Sequence, residues 1–251
     1  MPNSPTFKFG KRAAVHDPRT LRAMDYIDLA ALPPAPTTWA AKKPSKPWGM
    51  YANDSLGDCT CAALAHQRMV YSAGIGGNKA PTQASIVSLY YKIGRQENPG
   101  QQKPDNGLVE LDVLKYWRTH SVNSEKILAF ASVDPHNHEH VKLAASLFDG
   151  LYTGFGISDP AQLFREYDAQ TPWTPETGQD TEGHAVDIDE FADGTLTCVS
   201  WGREQKMTWD FWDQKVDECW VIIPQEYKVH PPTGFNLDQL EADLHGLGVV
   251  Q

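Results

Sequence analysis

Along the first half of the chain, apolar residues recur at every third or fourth position, whereas in the second half they gather into short branched and aromatic runs. The first spacing lines one face of a helix and the second lines a strand. The segment 57–73, which contains DCTCAALAHQRMVYSA, is rich in helix formers with few polar interruptions. It predicts a helix buried on most sides, with Cys59 in its first turn. Further helices are expected over 82–95, 108–119 and 138–148, and a short one over 236–244 in the tail. The runs KILAFASV, LYTGFGIS, GHAVDIDEF, TLTCVSW and ECWVIIP are bounded by Gly, Asp or Pro and predict strands. A helical part followed by a strand-rich part is the pattern of an α+β chain.

Two local signals refine this picture. In LPPAPTTWAAKKPSKPW the prolines interrupt any helix, so residues 1–48 are expected to form an extended strap laid over a domain of residues 49–224. That domain divides into a helical lobe (about 49–125) and a β-rich lobe (about 126–224), with 225–251 as a tail. Asp193-Gly194, between alternating segments, predicts a hairpin turn that brings His184 within a residue or two of Ser200, Trp201 and Gly202.

Composition narrows the function classes. With 251 residues, 41% of them hydrophobic, the chain can bury a large core. A net charge of −10 opposes nonspecific attraction to nucleic acid or to an anionic membrane. No apolar run approaches the roughly 20 residues that cross a bilayer, and MPNSPTFKFGKRAAV lacks the apolar stretch of a secretory leader, so a cytoplasmic location is expected. Cys59, Cys61, Cys198 and Cys219 are too few and too unevenly spaced for a disulfide framework and read as free thiols. No cofactor or metal is expected. The spacing of His136, His138 and His140 fits no standard zinc site, and Cys59 and Cys61 point to different sides of a helix. GIGGNKAP lacks the Lys-Ser/Thr of a phosphate loop.

A thiol in the first turn of a helix meets the positive end of the helix dipole and free N–H groups, which favour the thiolate; it is a candidate nucleophile or else a small core residue. His184, at a strand start and facing SWG, is a candidate base. In this order, NDSLGDCTCAA and GHAV followed by SWG resemble the motifs of papain-like cysteine peptidases: an amide side chain six positions before a cysteine that opens a long helix, then a histidine strand and a tryptophan loop.

The resemblance implies a two-lobed fold, a helical lobe followed by a β-barrel-like lobe, with a cleft between them for a peptide or protein substrate. By it, Cys59 attacks the carbonyl, His184 takes the thiol proton, and Asn53 with the Cys59 N–H holds the oxyanion. Trp201 would shield the histidine from water. Val199 stands where the family has the Asn that orients the ring, which leaves Ser200, a backbone carbonyl, or nothing in that role. Alternation along the strand turns Asp187 and Asp189 away from the His184 face, towards solvent or a pairing partner. Asp58 either opposes a thiolate at Cys59 by its charge or caps the helix. The competing reading is a catalytically silent papain-like binding module. The enzymatic reading requires the sulfur and the imidazole to meet and to face a cavity.

Overall fold

The structure, a computed structural model, describes residues 7–122 and 124–248. Residues 7–48 are largely irregular, with short 3-10 turns at Ala23–Tyr26 and Leu29–Ala31 and a two-residue strand β1, Trp39–Ala40. Helices α1 (Cys59–Gly74), α2 (Gln83–Glu97) and α3 (Glu110–Thr119) follow. The chain then alternates: β2 (Ile127–Ser132), α4 (His138–Leu147), β3 (Leu151–Ile157), α5 (Pro160–Ala169), β4 (Glu182–Ala192), β5 (Thr195–Ser200), β6 (Arg203–Thr208), α6 (Trp209–Lys215), β7 (Val216–Pro224) and α7 (Leu237–Gly246).

The five expected helices and five expected strands form within a few residues of the predicted ranges. Elements β1, α5, β6 and α6 are additional. The start of α5 is written locally: the Asp159 side chain accepts from the Gln162 N–H, and Pro160 occupies the first turn. Strand β6 is mostly polar, and only pairing along the whole of β5 turns Gln205 and Met207 inward while Glu204 and Lys206 stay exposed.

The strands form one antiparallel sheet in the order β2-β7-β3-β4-β5-β6, with β1 paired to one end of β4. The expectation of a barrel-like lobe is corrected here: β2 and β6 lie at opposite edges and do not pair, so the sheet stays open. Helices cover both faces, so strand alternation sorts side chains into two cores. Val186 and Ile188 join Phe155, Trp173, Phe211 and Trp212 on one face, while Ala185 packs with α1, α2 and α3 on the other. Helix α7 brings Leu240 and Leu244 into the first of these cores, and the Tyr26 hydroxyl donates to Asp243 at 2.9 Å, tying the tail to the N-terminal segment.

Phe155 is fully buried, with its ring 5.3 Å from Phe211 and 5.6 Å from Trp173. Phe155→Ala should destabilise the chain by about 3–5 kcal/mol, read from urea unfolding midpoints; a change within experimental error would mean that this core collapses around the gap.

Candidate active site

Cys59 is the first residue of α1, and fourteen of the helix's sixteen residues are buried. The helix enters from Asp58, whose backbone carbonyl accepts from the Cys61 and Ala62 N–H groups. The Asp58 side chain makes no capping bond; both carboxyl oxygens are buried without a hydrogen-bond partner among the described residues. Burial pushes this carboxyl up to about 8, so at neutral pH it is largely protonated and its charge opposes a thiolate only weakly. Burial also pushes the Cys59 thiol up to about 12, against a smaller opposing contribution from the neighbouring Ala185 and Gly10 backbone. Ala185 directly follows His184, so Cys59 meets the strand that carries the imidazole.

The β4–β5 hairpin turns at Asp193 (φ 50°) and Gly194 (φ 78°), both in the left-handed region that a two-residue turn of this kind requires. Its register pairs Asp187 with Val199. Val199 therefore shares the α1 side of the sheet with Asp187, and Ser200 falls on the His184 side. His184 Nε2 is hydrogen-bonded to Ser200 Oγ at 2.8 Å, and the Trp201 ring stacks on the imidazole at 4.4 Å between centroids. Nδ1 has no partner among the described residues. Burial, and to a lesser extent nearby His66, pushes the imidazole down to about 3, so it is neutral.

Asp187 and Asp189 do lie off the His184 face, but the expectation of a solvent-facing role is corrected, because α1 and the N-terminal segment cover that side. Both are fully buried. Asp189 accepts from Lys43 Nζ at 2.8 Å, while neither oxygen of Asp187 is hydrogen-bonded among the described residues. His66 was not singled out from the sequence: its Nε2 lies 2.8 Å from the Gly49 carbonyl, and its ring packs between Trp48 and Tyr51. A single histidine inside a helix carries no pattern that would have marked it.

Residues 7–12 run between the two lobes directly over Cys59 and His184. Phe9 meets the imidazole edge to face at 5.7 Å, and Phe7 stacks on Trp201 at 4.8 Å. The Lys8 carbonyl accepts from Asn53 Nδ2 at 3.2 Å and from Trp201 Nε1 at 3.3 Å, while the Lys8 N–H donates to the Asn53 carbonyl. Asn53 Nδ2 also donates to Leu56 O at 3.1 Å. Gly10 lies so close to Gly57 that a Cβ would stand 1.8 Å from the Gly57 carbonyl oxygen. The requirement of an open cavity is therefore not met in this state. Cys59 and His184 are 0% and 1% exposed, and no hydrogen bond joins them. A groove of about 610 Å³ lies between the lobes, lined by Phe9, Gly10, Lys11 and Gly183 rather than by the pair. Tyr51 (φ 55°), Ala52 (φ 75°) and Trp201 (φ 44°), which flank this region, hold left-handed backbone that non-glycine residues rarely adopt.

This architecture is that of known thiol proteases. Xylellain, a cysteine protease from Xylella fastidiosa, superposes with a TM-score of 0.66 at 14% identity, covering 89% of this chain and 98% of that one. A procathepsin B from Trypanosoma congolense (TM-score 0.52, 10% identity, 87% of each chain) and a cysteine protease from Carica candamarcensis (TM-score 0.52, 11% identity, 75% and 99%) share it. No protein-family model matches the chain, and no curated protein matches it. The chain thus has the α+β papain-like fold. Among the described residues, no helix is long and apolar enough to cross a membrane.

Gly10→Ala, by the clash with Gly57, should lift residues 7–12 away from Cys59 and His184. Alkylation of Cys59 at neutral pH, mapped by mass spectrometry, should then accelerate by about tenfold or more over the slow wild-type rate; an unchanged rate would show that the strap does not control access. Asp58 gives a second expectation. The folded chain keeps a proton there that the unfolded chain releases above its ordinary 3.8, so this contribution to stability is full at low pH and is lost as pH rises towards about 8. Between these limits Asp58→Asn should gain on the wild type by up to about 1.4 kcal/mol per pH unit in urea unfolding. Parallel stability curves would mean that this carboxyl does not titrate so late.

Proposed function

We propose that this chain is a cysteine peptidase, or a related thiol amidohydrolase, that cleaves peptide or amide bonds through an acyl-enzyme on Cys59 with His184 as general base. The observation that carries this reading is the meeting of two distant segments: a thiol opens a buried helix that packs against Ala185, the residue after His184, and among the described residues the imidazole keeps one nitrogen unpartnered. In this reading residues 49–224 are the catalytic unit, 1–48 the strap and 225–251 a tail.

With the strap displaced, water reaches both groups, and the burial that now keeps the thiol protonated and the imidazole neutral is relieved. His184 then takes the thiol proton, Cys59 attacks the substrate carbonyl, and the Asn53 amide with the Cys59 N–H receives the oxyanion. The Lys8 carbonyl, held between Asn53 Nδ2 and Trp201 Nε1, occupies the donor that the oxyanion would use. Ser200 holds the ring through Nε2 where the family uses an Asn, and Trp201 covers its face. Water attacking the acyl group completes the cycle; transfer to an amine would use the same pair.

A second reading, a silent papain-like module, is favoured by one observation: the strap seals a neutral pair away from solvent. Turnover separates the two. Gly10→Ala should hydrolyse fluorogenic peptide amides. Cys59→Ala in that background should abolish hydrolysis while leaving the circular dichroism intact, and Asn53→Ala should lower the rate on the order of 10²–10³. Alkylation of Cys59 in Gly10→Ala without any turnover would instead establish the silent module.

A further inference from the structure

Beside the thiol, the lobes enclose a pocket that the chemistry above does not use. The Lys11 side chain enters it and is 1% exposed. Its ammonium lies 2.9 Å from Asp217 Oδ2, 3.1 Å from Glu218 Oε1 and 3.3 Å from the Arg12 carbonyl. The helical lobe supplies Glu110, fully buried at the start of α3; one of its oxygens accepts from Trp220 Nε1 at 3.1 Å and the other has no hydrogen-bond partner among the described residues. The opening over the sheet exists because residue 154 is glycine: a Cβ there would stand 2.0 Å from Lys11 Cε and 2.7 Å from the unpartnered Glu110 oxygen. Burial opposes the charge on Lys11, but Glu110, Glu218 and Asp217 outweigh it and keep the ammonium firmly protonated.

The strap's other contacts here run from backbone to backbone. The Gly10 and Lys11 N–H groups donate to the Gly183 carbonyl at 3.2 and 3.0 Å, the Leu108 N–H donates to Gly10 O at 2.8 Å, and the Arg12 N–H donates to Leu108 O at 2.9 Å. Any extended peptide with glycine at the position of Gly10 could form them, which leaves side-chain selection at the next position to the pocket. As a fastening for a strap, a buried ion pair offers little over an apolar side chain of equal size. What it does supply is discrimination: burial already holds Glu110 well above and Glu218 above the ordinary carboxylate range, and an uncharged occupant takes away the cation that Glu218 faces.

We propose that this acid-lined pocket is a subsite for a basic side chain, lysine or arginine, of a peptide bound in the cleft, and that Lys11 of the chain's own strap fills it in the resting state. The assignment rests on the cleft being a peptide site, as the function above has it, and places the basic residue next to the one lying over Cys59.

The test needs no turnover. In the full-length chain carrying Gly10→Ala, Lys11→Ala and Cys59→Ala, fluorescence anisotropy compares a labelled Phe-Gly-Lys-Arg-Ala peptide with the same peptide bearing norleucine for lysine. The lysine peptide should bind on the order of 10²-fold more tightly, and adding Glu218→Gln to the protein should remove most of that preference. Equal affinities, or no binding of either peptide, would overturn the proposal. If the triple variant does not fold, thermal unfolding of the Lys11→Ala chain replaces it. Stabilisation by 1-butylammonium but not by 1-butanol supports the subsite, and stabilisation by both or by neither overturns it. Lysine-selective binding in the Cys59→Ala chain together with no hydrolysis by Gly10→Ala would remove the peptidase reading and leave the subsite standing.

Discussion

Everything in this fold is referred to the packing of α1 against β4. A helix buried around nearly its whole circumference must satisfy its ends internally, and its small residues, Ala62, Ala63 and Ala65, let the sheet and the neighbouring helices approach closely. That approach sets the first residue of the helix against the peptide that follows His184. The same packing buries Asp58, Asp187 and Asp189 on the α1 side, so their carboxyls are held above the ordinary carboxylate range by desolvation first of all. The region around the thiol therefore stores unfavourable burial of polar groups, as functional sites often do.

The second organising feature is the way residues 7–12 complete both lobes at once. Phe7 and Phe9 extend the aromatic cluster of Trp201, Phe164 and Tyr167, Lys8 pairs with Asn53, and Lys11 reaches acids contributed by α3 and β7. Each contact replaces something that a bound chain could offer: an apolar face for the aromatics, a carbonyl for the Asn53 amide, a cation for the carboxylates. The segment is seated by backbone pairing and by glycines at closest approach, Gly10 against Gly57 and Gly183 against the Lys11 carbonyl. A larger residue at any of these glycines would move the segment out of the cleft.

Within the hairpin, register decides which side chain can serve the histidine. Because Asp187 pairs with Val199, the position that aligns with the family's Asn lies on the wrong side of the strand, and the next residue, Ser200, supplies the hydrogen bond to Nε2. A hydroxyl fixes the ring less directionally than an amide oxygen, and Trp201, stacked on the imidazole from a strained backbone, restricts the remaining rotation.

Much was readable from residue order alone, because periodicity, caps and turn residues act over a few positions. The buried helix beginning at Cys59, the Asp193-Gly194 hairpin and the proximity of His184 to Ser200 all follow from such local rules, as does the proline-broken N-terminal segment. Strand β6 and the open edge of the sheet were not readable, since pairing partners lie far apart in the chain and polar strands carry no hydrophobic signature. Nor were the burial of Asp187 and Asp189 or the pocket around Lys11. Lys11, Glu110 and the Asp217-Glu218 pair become a site only when α3, β7 and Gly154 converge on one point, and desolvation, which raises the buried acids and the Cys59 thiol and lowers the His184 imidazole, is a property of that convergence rather than of any residue.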